Sequence, residues 1–259
     1  MAEFIRPVKP DDWTQYELDH FGIEIKPLDK QEFFGSANLP QAIPVIPSLA
    51  GFMTNEDREH AVDGDTMKLL HYLDLVLDPQ VGQEAAAYNF AAKLLEKLGY
   101  DDGDRIIFTR LALPIVMSGV SYMAQTDVCV MDKDDMVLLI LLHDDKQVPR
   151  LKDPESQVIA LAIAAFTANN KVRETSLNLP PLPATSISAI TMIGTNPIFY
   201  VIVVTSELRT AVQEGSRGGA RTHVFRHVPV LPKRHGLGMR ALENRVEILA
   251  CLDAFRQTV

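Results

Sequence analysis

Long apolar runs are missing from this 259-residue chain. One of the longer ones, Met136 to Leu142, has the length of a strand, and nothing approaches the roughly 18 apolar residues of a membrane span. No membrane association is therefore expected. The opening MAEFIRPVKPDDW lacks an apolar core followed by a small-residue cleavage site, which leaves an intracellular location, cytoplasm or nucleus, as the expectation. Cysteine is scarce. Cys129 and Cys251 both stand in apolar segments, a pattern of free buried thiols rather than of a disulfide or thiolate metal site. Positive charge is in deficit as well, with 25 Lys and Arg against 34 Asp and Glu, so the chain as a whole is a poor nonspecific binder of nucleic acid.

What is present reads as an α/β protein. Residues 1–52 carry scattered prolines (Pro7, Pro10, Pro27, Pro40, Pro44, Pro47) and little periodicity, as in an extended arm laid over a body. Residues 55–77 become amphipathic, with Met67, Leu70, Leu73 and Leu77 at helical spacing, predicting one helix or two short ones. Residues 1–78 thus form an arm and helical extension packed on a core of residues 79–259. Asp78-Pro79 is a cap followed by proline and Gly99 is a stop, predicting a helix over 79–98. Arg105 to Leu113, Ile115 to Asp132 with a bend at Gly119, and Met136 to Lys146 read as three strands. Asp153-Pro154 opens a second helix that ends at Asn169-Asn170 and puts Val158, Ile159, Ala162, Ala165 and Phe166 on one face. Ile187 to Ile193 and Ile198 to Val204 are strands meeting at GTNP, and a helix from Ala241 to Gln257 closes the chain. The order is αβββαβ, a mixed sheet flanked by helices.

The chemistry concentrates in the hairpin TDVCVMDKDDMVLLILLHDDK. Residues two apart on a strand share a face, so Asp144 and Lys146 project together and Asp145 points away; Asp127 lies on the preceding strand, where antiparallel pairing can bring it to Asp144. Two close carboxylates need a proton, a cationic partner or a divalent metal. The plainer alternative is a set of ordinary charges at a hairpin end. Register decides between them. The obvious turn, Asp132 to Asp135, would set Asp127 across from Ile140, so direct pairing with Asp144 requires a bulge or asymmetric turn near Lys133 to Met136.

A helix with Glu84, a strand, a strand with Asp127, a strand with Asp144-Asp145-Lys146 and a helix with Gln157 together resemble the restriction-endonuclease-like PD-(D/E)XK nuclease superfamily, over residues 79–204. That resemblance implies a Mg²⁺- or Mn²⁺-dependent phosphodiesterase. Asp127, Asp144 and Glu84 would be metal ligands, Lys146 the catalytic lysine and Gln157 a supporting residue. Thr126 stands where the family has proline, and Asp144 where glutamate is commoner. The chain is also similar to fungal proteins with a QEDK-like segment, a helix and a GTxPxFY segment, a likeness that assigns no activity. An alternative is a nuclease-fold binding module without catalysis.

Other residues carry blander readings. Glu84 also suits a helix N-terminus by charge alone, and Gln157 a solvent-facing position. His143 faces away from Asp144, and His223, His227 and His235 read as surface residues. Trp13 reads as a packing anchor for the arm. Glu24-Ile25-Lys26 copies the acid-x-lysine pattern without the preceding acidic strand. Between Gly215 and Leu242 stand Arg217, Arg221, Arg226, Lys233, Arg234 and Arg240 with no Asp or Glu, a block suited either to a polyanion or to a solvated loop. Nucleic acid is the expected partner, with a homodimer a further expectation.

Overall fold

The computed structural model describes residues 4–35, 39–40, 46–83, 85–144 (at 144 the backbone only) and 153–259. Three short helices, α1 (Gln15–His20), α2 (Lys30–Phe34) and α3 (Ala50–Thr54), with a strand β1 (Ile23–Pro27) after the first, precede α4 (Gly64–Leu77) and α5 (Ala85–Lys97). Then come β2 (Ile106–Thr109), β3 (Ala112–Met117), β4 (Val120–Gln125), β5 (Val128–Met131), β6 (Val137–Asp144), α6 (Pro154–Thr175), β7 (Ala184–Ile193), β8 (Asn196–Thr205), α7 (Ser206–Glu214), β9 (Thr222–His227) and α8 (Leu242–Arg256).

Seven strands form one mixed sheet in the order β1-β9-β8-β7-β6-β5-β2. Within it, β2, β5 and β6 are successively antiparallel, and β6 pairs parallel with β7 across the α6 crossover. With α5 ahead of β2, the order α5-β2-β5-β6-α6-β7 is the αβββαβ order expected. Each sheet face carries its own apolar core. Cys129, Ile140, Ala189 and Tyr200 face α6, while Val130, Leu139, Leu141 and Phe199 face the layer of α4, α5 and α8. Among the described residues, no helix is long and apolar enough to cross a membrane.

The α6 segment is apolar nearly all round from Val158 to Phe166, which suits a helix covered on every side. Its outer side is closed by the β3-β4 hairpin, a separate two-stranded sheet. The expected single strand from Ile115 to Asp132 is therefore cut into pieces. Ser118 and Gly119 both adopt positive φ (49° and 76°), forming a two-residue turn between Met117 and Val120 whose twist suits a tight hairpin.

Three further expectations change. The helix predicted from residue 79 begins at Ala85, because Asp78 instead closes α4 by donating its N–H to Asp74 O, and Gly82 sits at φ 86° in a turn. The arm is not merely laid on, since β1 pairs parallel with β9 as a sheet edge. Asn169-Asn170 do not end α6. Asn169 exchanges two 2.8 Å bonds with the backbone of Val137, and Asn170 bonds both ways with Leu182, so neither amide competes with the helix, which runs on to Thr175.

Cys129 and Cys251 are free and buried, on opposite faces of the sheet. Trp13 is fully buried and stacks on Phe21 at 5.5 Å. His227 is not a surface residue. It is 3% exposed, packed among Phe33, Phe34 and Phe199 because its position on β9 faces the α8 side.

Candidate functional site

Asp127 leads into β5 and is half-buried. Its main chain is fixed twice, the N–H donating to Leu141 O at 3.3 Å and the C=O accepting from Arg110 N–H at 3.0 Å. Arg110 reaches that position through a positive φ of 59°. The side chain is fixed as well, Oδ2 accepting from the backbone N–H of His143 at 2.7 Å. Burial pushes the Asp127 carboxyl above its ordinary value; the His143 amide and the His143 and Arg110 charges act the other way, and Asp11 adds a smaller upward push.

The register corrects the expectation of direct pairing. Val128 pairs with Leu141 and Val130 with Leu139, then a bulge leaves Met131 with Val137. Asp132 closes the turn, its Oδ1 accepting from the N–H groups of Asp134 and Met136, both at 2.9 Å. The bulge lies beside Leu138 rather than in the turn, and it moves the register by one residue. The ladder stops at Val128: Asp127 lies in a bend just before it, and its N–H goes to Leu141 O, the partner of Val128, so Asp127 does not pair with residue 144.

At the same end of the sheet α6 begins. Asp153 caps it, its carboxylate accepting from Glu155 N–H at 3.1 Å and Ser156 Oγ–H at 2.7 Å, and Pro154 fits the first helical position. Gln157 lies on this first turn and donates through Nε2 to Asp11 Oδ1 at 3.2 Å. Beneath the same turn, Thr191 Oγ1 and the Tyr200 hydroxyl are 3.3 Å apart, and Arg226 grips both oxygens of Glu155 at 3.3 and 3.1 Å. Burial, with the Glu155 charge second, pushes the Tyr200 phenol far up, so it serves as a neutral hydroxyl. A cleft of about 510 Å³ opens beside Arg226, bordered by Asp19, Glu24, Glu155 and Arg221.

The structure thus brings Asp127, the C-terminal end of β6 and Gln157 to one sheet end. Asp144 is described by its backbone, which pairs with Ile193; Glu84, Asp145 and Lys146 lie outside the described residues. Among the described residues, no three His, Cys, Asp or Glu side chains gather as a metal-ligating group. What Asp127 offers is a hard oxygen donor, half withdrawn from water, whose charged form gains from a cation. That chemistry fits Mg²⁺ or Mn²⁺.

Acids from elsewhere in the fold reach the basic segment, as its solvated-loop reading has it. Arg221 meets Glu24 at 3.5 Å, Arg226 meets Glu155 at 3.1 Å and Lys233 meets Glu243 at 3.1 Å, while Arg217, Arg234 and Arg240 are exposed. The discounted Glu24-Ile25-Lys26 lies in β1, where Glu24 and Lys26 both approach His223. Asp11 and Glu155 were not visible as site residues. Asp11 comes from a proline-rich segment with no periodicity, and only the fold puts it beside Gln157. A comparison with protein-family models and with curated proteins finds no match to this chain.

Proposed function

We propose that this protein is a divalent-metal-dependent phosphodiesterase acting on DNA or RNA. The observation that carries the reading is the position of Asp127: a part-buried carboxylate whose charged form burial disfavours, at the sheet end where β6 finishes and α6 starts. Asp127 and Asp144 would hold Mg²⁺ or Mn²⁺, with Glu84 a further ligand and Lys146 the lysine that stabilises developing negative charge. When bound, the ion lowers the pKa of a coordinated water and offsets charge on the phosphate. The His143 amide keeps Asp127 in one orientation, and Gln157 supplies an amide at the rim. Arg234 and Arg240, exposed on the segment before α8, and Arg217, exposed between α7 and β9, would meet the polyanion.

The test is cleavage of labelled single- and double-stranded DNA and RNA in Mn²⁺, in Mg²⁺ and in EDTA. Metal-dependent cleavage, lost in Asp127→Ala without loss of folding, is expected. No cleavage of any substrate, or cleavage unchanged in Asp127→Ala, overturns the reading.

A second reading is a nuclease-fold binding module without catalysis. The observation favouring it is that Asp127 Oδ2 is already satisfied by the His143 N–H, and that the β5-β6 ladder stops at Val128 without pairing Asp127 with residue 144. Polyanion binding without a metal response would promote it.

A further inference from the structure

The two outer strands of the sheet meet solvent differently. At one edge β1 reads IEIKP, with Glu24, Lys26 and Pro27, the charges and proline that discourage a further strand from adding. At the other edge β2 reads IIFT and carries neither charge nor proline. Its phase is fixed on the inner side, where Arg110 N–H donates to Asp127 O at 3.0 Å and the Phe108 amide is directed at the Cys129 thiol. Main-chain groups alternate along a strand, so those of Ile107 and Thr109 face outward, and among the described residues β2 has no strand on that side. Ile106 and Phe108, paired with Met131 and Cys129, share one face and stay 48% and 44% exposed. On the other face Ile107 borders an open cleft of about 590 Å³, beside Asn89, Lys93 and Glu96 of α5.

We propose that β2 is the docking edge for a second copy of this chain, the two β2 strands pairing antiparallel about a twofold axis at Ile107 and continuing the sheet across both molecules. The strand's own pattern selects this occupant. In that register Ile107 meets its counterpart as a hydrogen-bonded pair, as the outward phase requires, and each Ile106 lies opposite the other copy's Phe108, so both exposed apolar side chains are covered. Exposed Asp104 and Arg110, just beyond the two ends of the strand, are brought toward each other across the axis, an acidic end beside a basic one. Moving the axis to Ile106 or Phe108 would instead set Phe108 against Asp104 or Ile106 against Arg110. A patch that meets itself closes at two copies, whereas β2 adding to β1 of another molecule would run on as a fibre, the outcome that the charges and Pro27 of β1 oppose. The pairing is independent of the phosphodiesterase reading.

The test uses the full chain at rising micromolar concentrations. Sedimentation velocity should show a monomer–dimer equilibrium. Hydrogen exchange should show the amides of Ile107 and Thr109 gaining protection as concentration rises, while that of Phe108, turned toward β5, is protected at every dilution. Ile106→Lys combined with Phe108→Lys places like charges opposite each other and should raise the dissociation constant about tenfold or more. Ile106→Lys combined with Phe108→Glu loses the same apolar contacts but sets opposite charges across the axis, and should recover most of that loss. Melting temperatures confirm that both variants fold, and the exchange result on the parent needs neither. A parent that stays monomeric overturns the proposal and leaves the edge to an extended peptide of another protein. A dimer without added protection at Ile107 and Thr109, or equal weakening by the two variants, overturns it as well.

Discussion

The backbone N–H of His143 donates to Oδ2 of Asp127 at 2.7 Å. That single bond joins the strand that follows the turn to the carboxylate before it, in a hairpin whose register shifts at Val130/Met131. It also leaves Asp127 with one oxygen committed and the other available.

Removing the Asp127 charge should stabilise the protein at neutral pH. Burial raises this carboxyl above 3.8, so between that value and the folded-state value the native state binds more protons than the unfolded chain, and stability falls as pH rises. Asp127→Asn keeps an acceptor for the His143 N–H and should gain about 0.5–1 kcal/mol at pH 7, the size of an ordinary stabilising substitution. The gain should shrink as pH falls toward 3.8, where the parent carboxyl is protonated. Urea titrations of both proteins at several pH values measure this.

His227 has the opposite sign. Burial lowers its pKa below 6.5, helped by the Lys30 charge and opposed by the Leu28 carbonyl, Glu247 and Asp29. A base with a depressed folded value contributes stability that is present above 6.5 and lost as pH falls through the folded value, because the unfolded chain takes the proton first. His227→Phe should flatten that acid loss. It should cost about 1 kcal/mol at pH 7.5, since Leu28 O loses its 3.1 Å partner. A variant as acid-sensitive as the parent would show that other groups control the transition.

Arg245 is a buried cation satisfied by carbonyls. Its Nε–H donates to Met239 O, its Nη1 hydrogens to Phe52 O and Asn55 O, and Nη2–H to Glu56 O, while its guanidinium lies 4.6 Å over the Phe52 ring. Burial lowers its pKa to about 10, so it stays charged at pH 7. Arg245→Met retains volume but strips the donors, and at about 1 kcal/mol per lost bond the loss should reach roughly 4 kcal/mol. Protease sensitivity should appear first in the segment around α3, which this residue ties to α8.

Asp153→Ala tests the cap beneath the candidate site. The loss expected is about 1 kcal/mol. Asp153→Asn, which still accepts from Glu155 N–H, should recover most of it; equal losses would mean that charge rather than the hydrogen bond matters.

Local signals were legible in the sequence where local chemistry decides the structure. Asp153-Pro154 opened α6, Gly99 sat just beyond α5, and GTNP turned β7 into β8, each because a cap, a stop or a turn acts within a few residues. The αβββαβ order followed from those signals. Asp78-Pro79 misled because the same aspartate can end one helix as well as begin the next. The β3-β4 hairpin escaped because a strand that leaves its sheet to cover a helix has the same apolar alternation as one that stays. Register was only half legible: the Asp132 turn was plain, but the extra residue at Leu138 is set by packing on both sheet faces. Asp11, Glu155 and the acids that enter the basic segment were not legible at all, since each meets its partner across long stretches of chain.

The parallel pairing of β1 with β9 joins segments almost two hundred residues apart. Leu28 accepts from His227, 199 positions away, and that ladder cannot begin until the chain has been made through β9. During synthesis β1 therefore has no sheet partner until β9 has been made. The slowest refolding step should be the closing of this seam, because long-range strand pairing carries the largest loop-closure entropy. A chain shortened before Thr222 would keep β1 without its partner, an open edge available to any other strand in the cell.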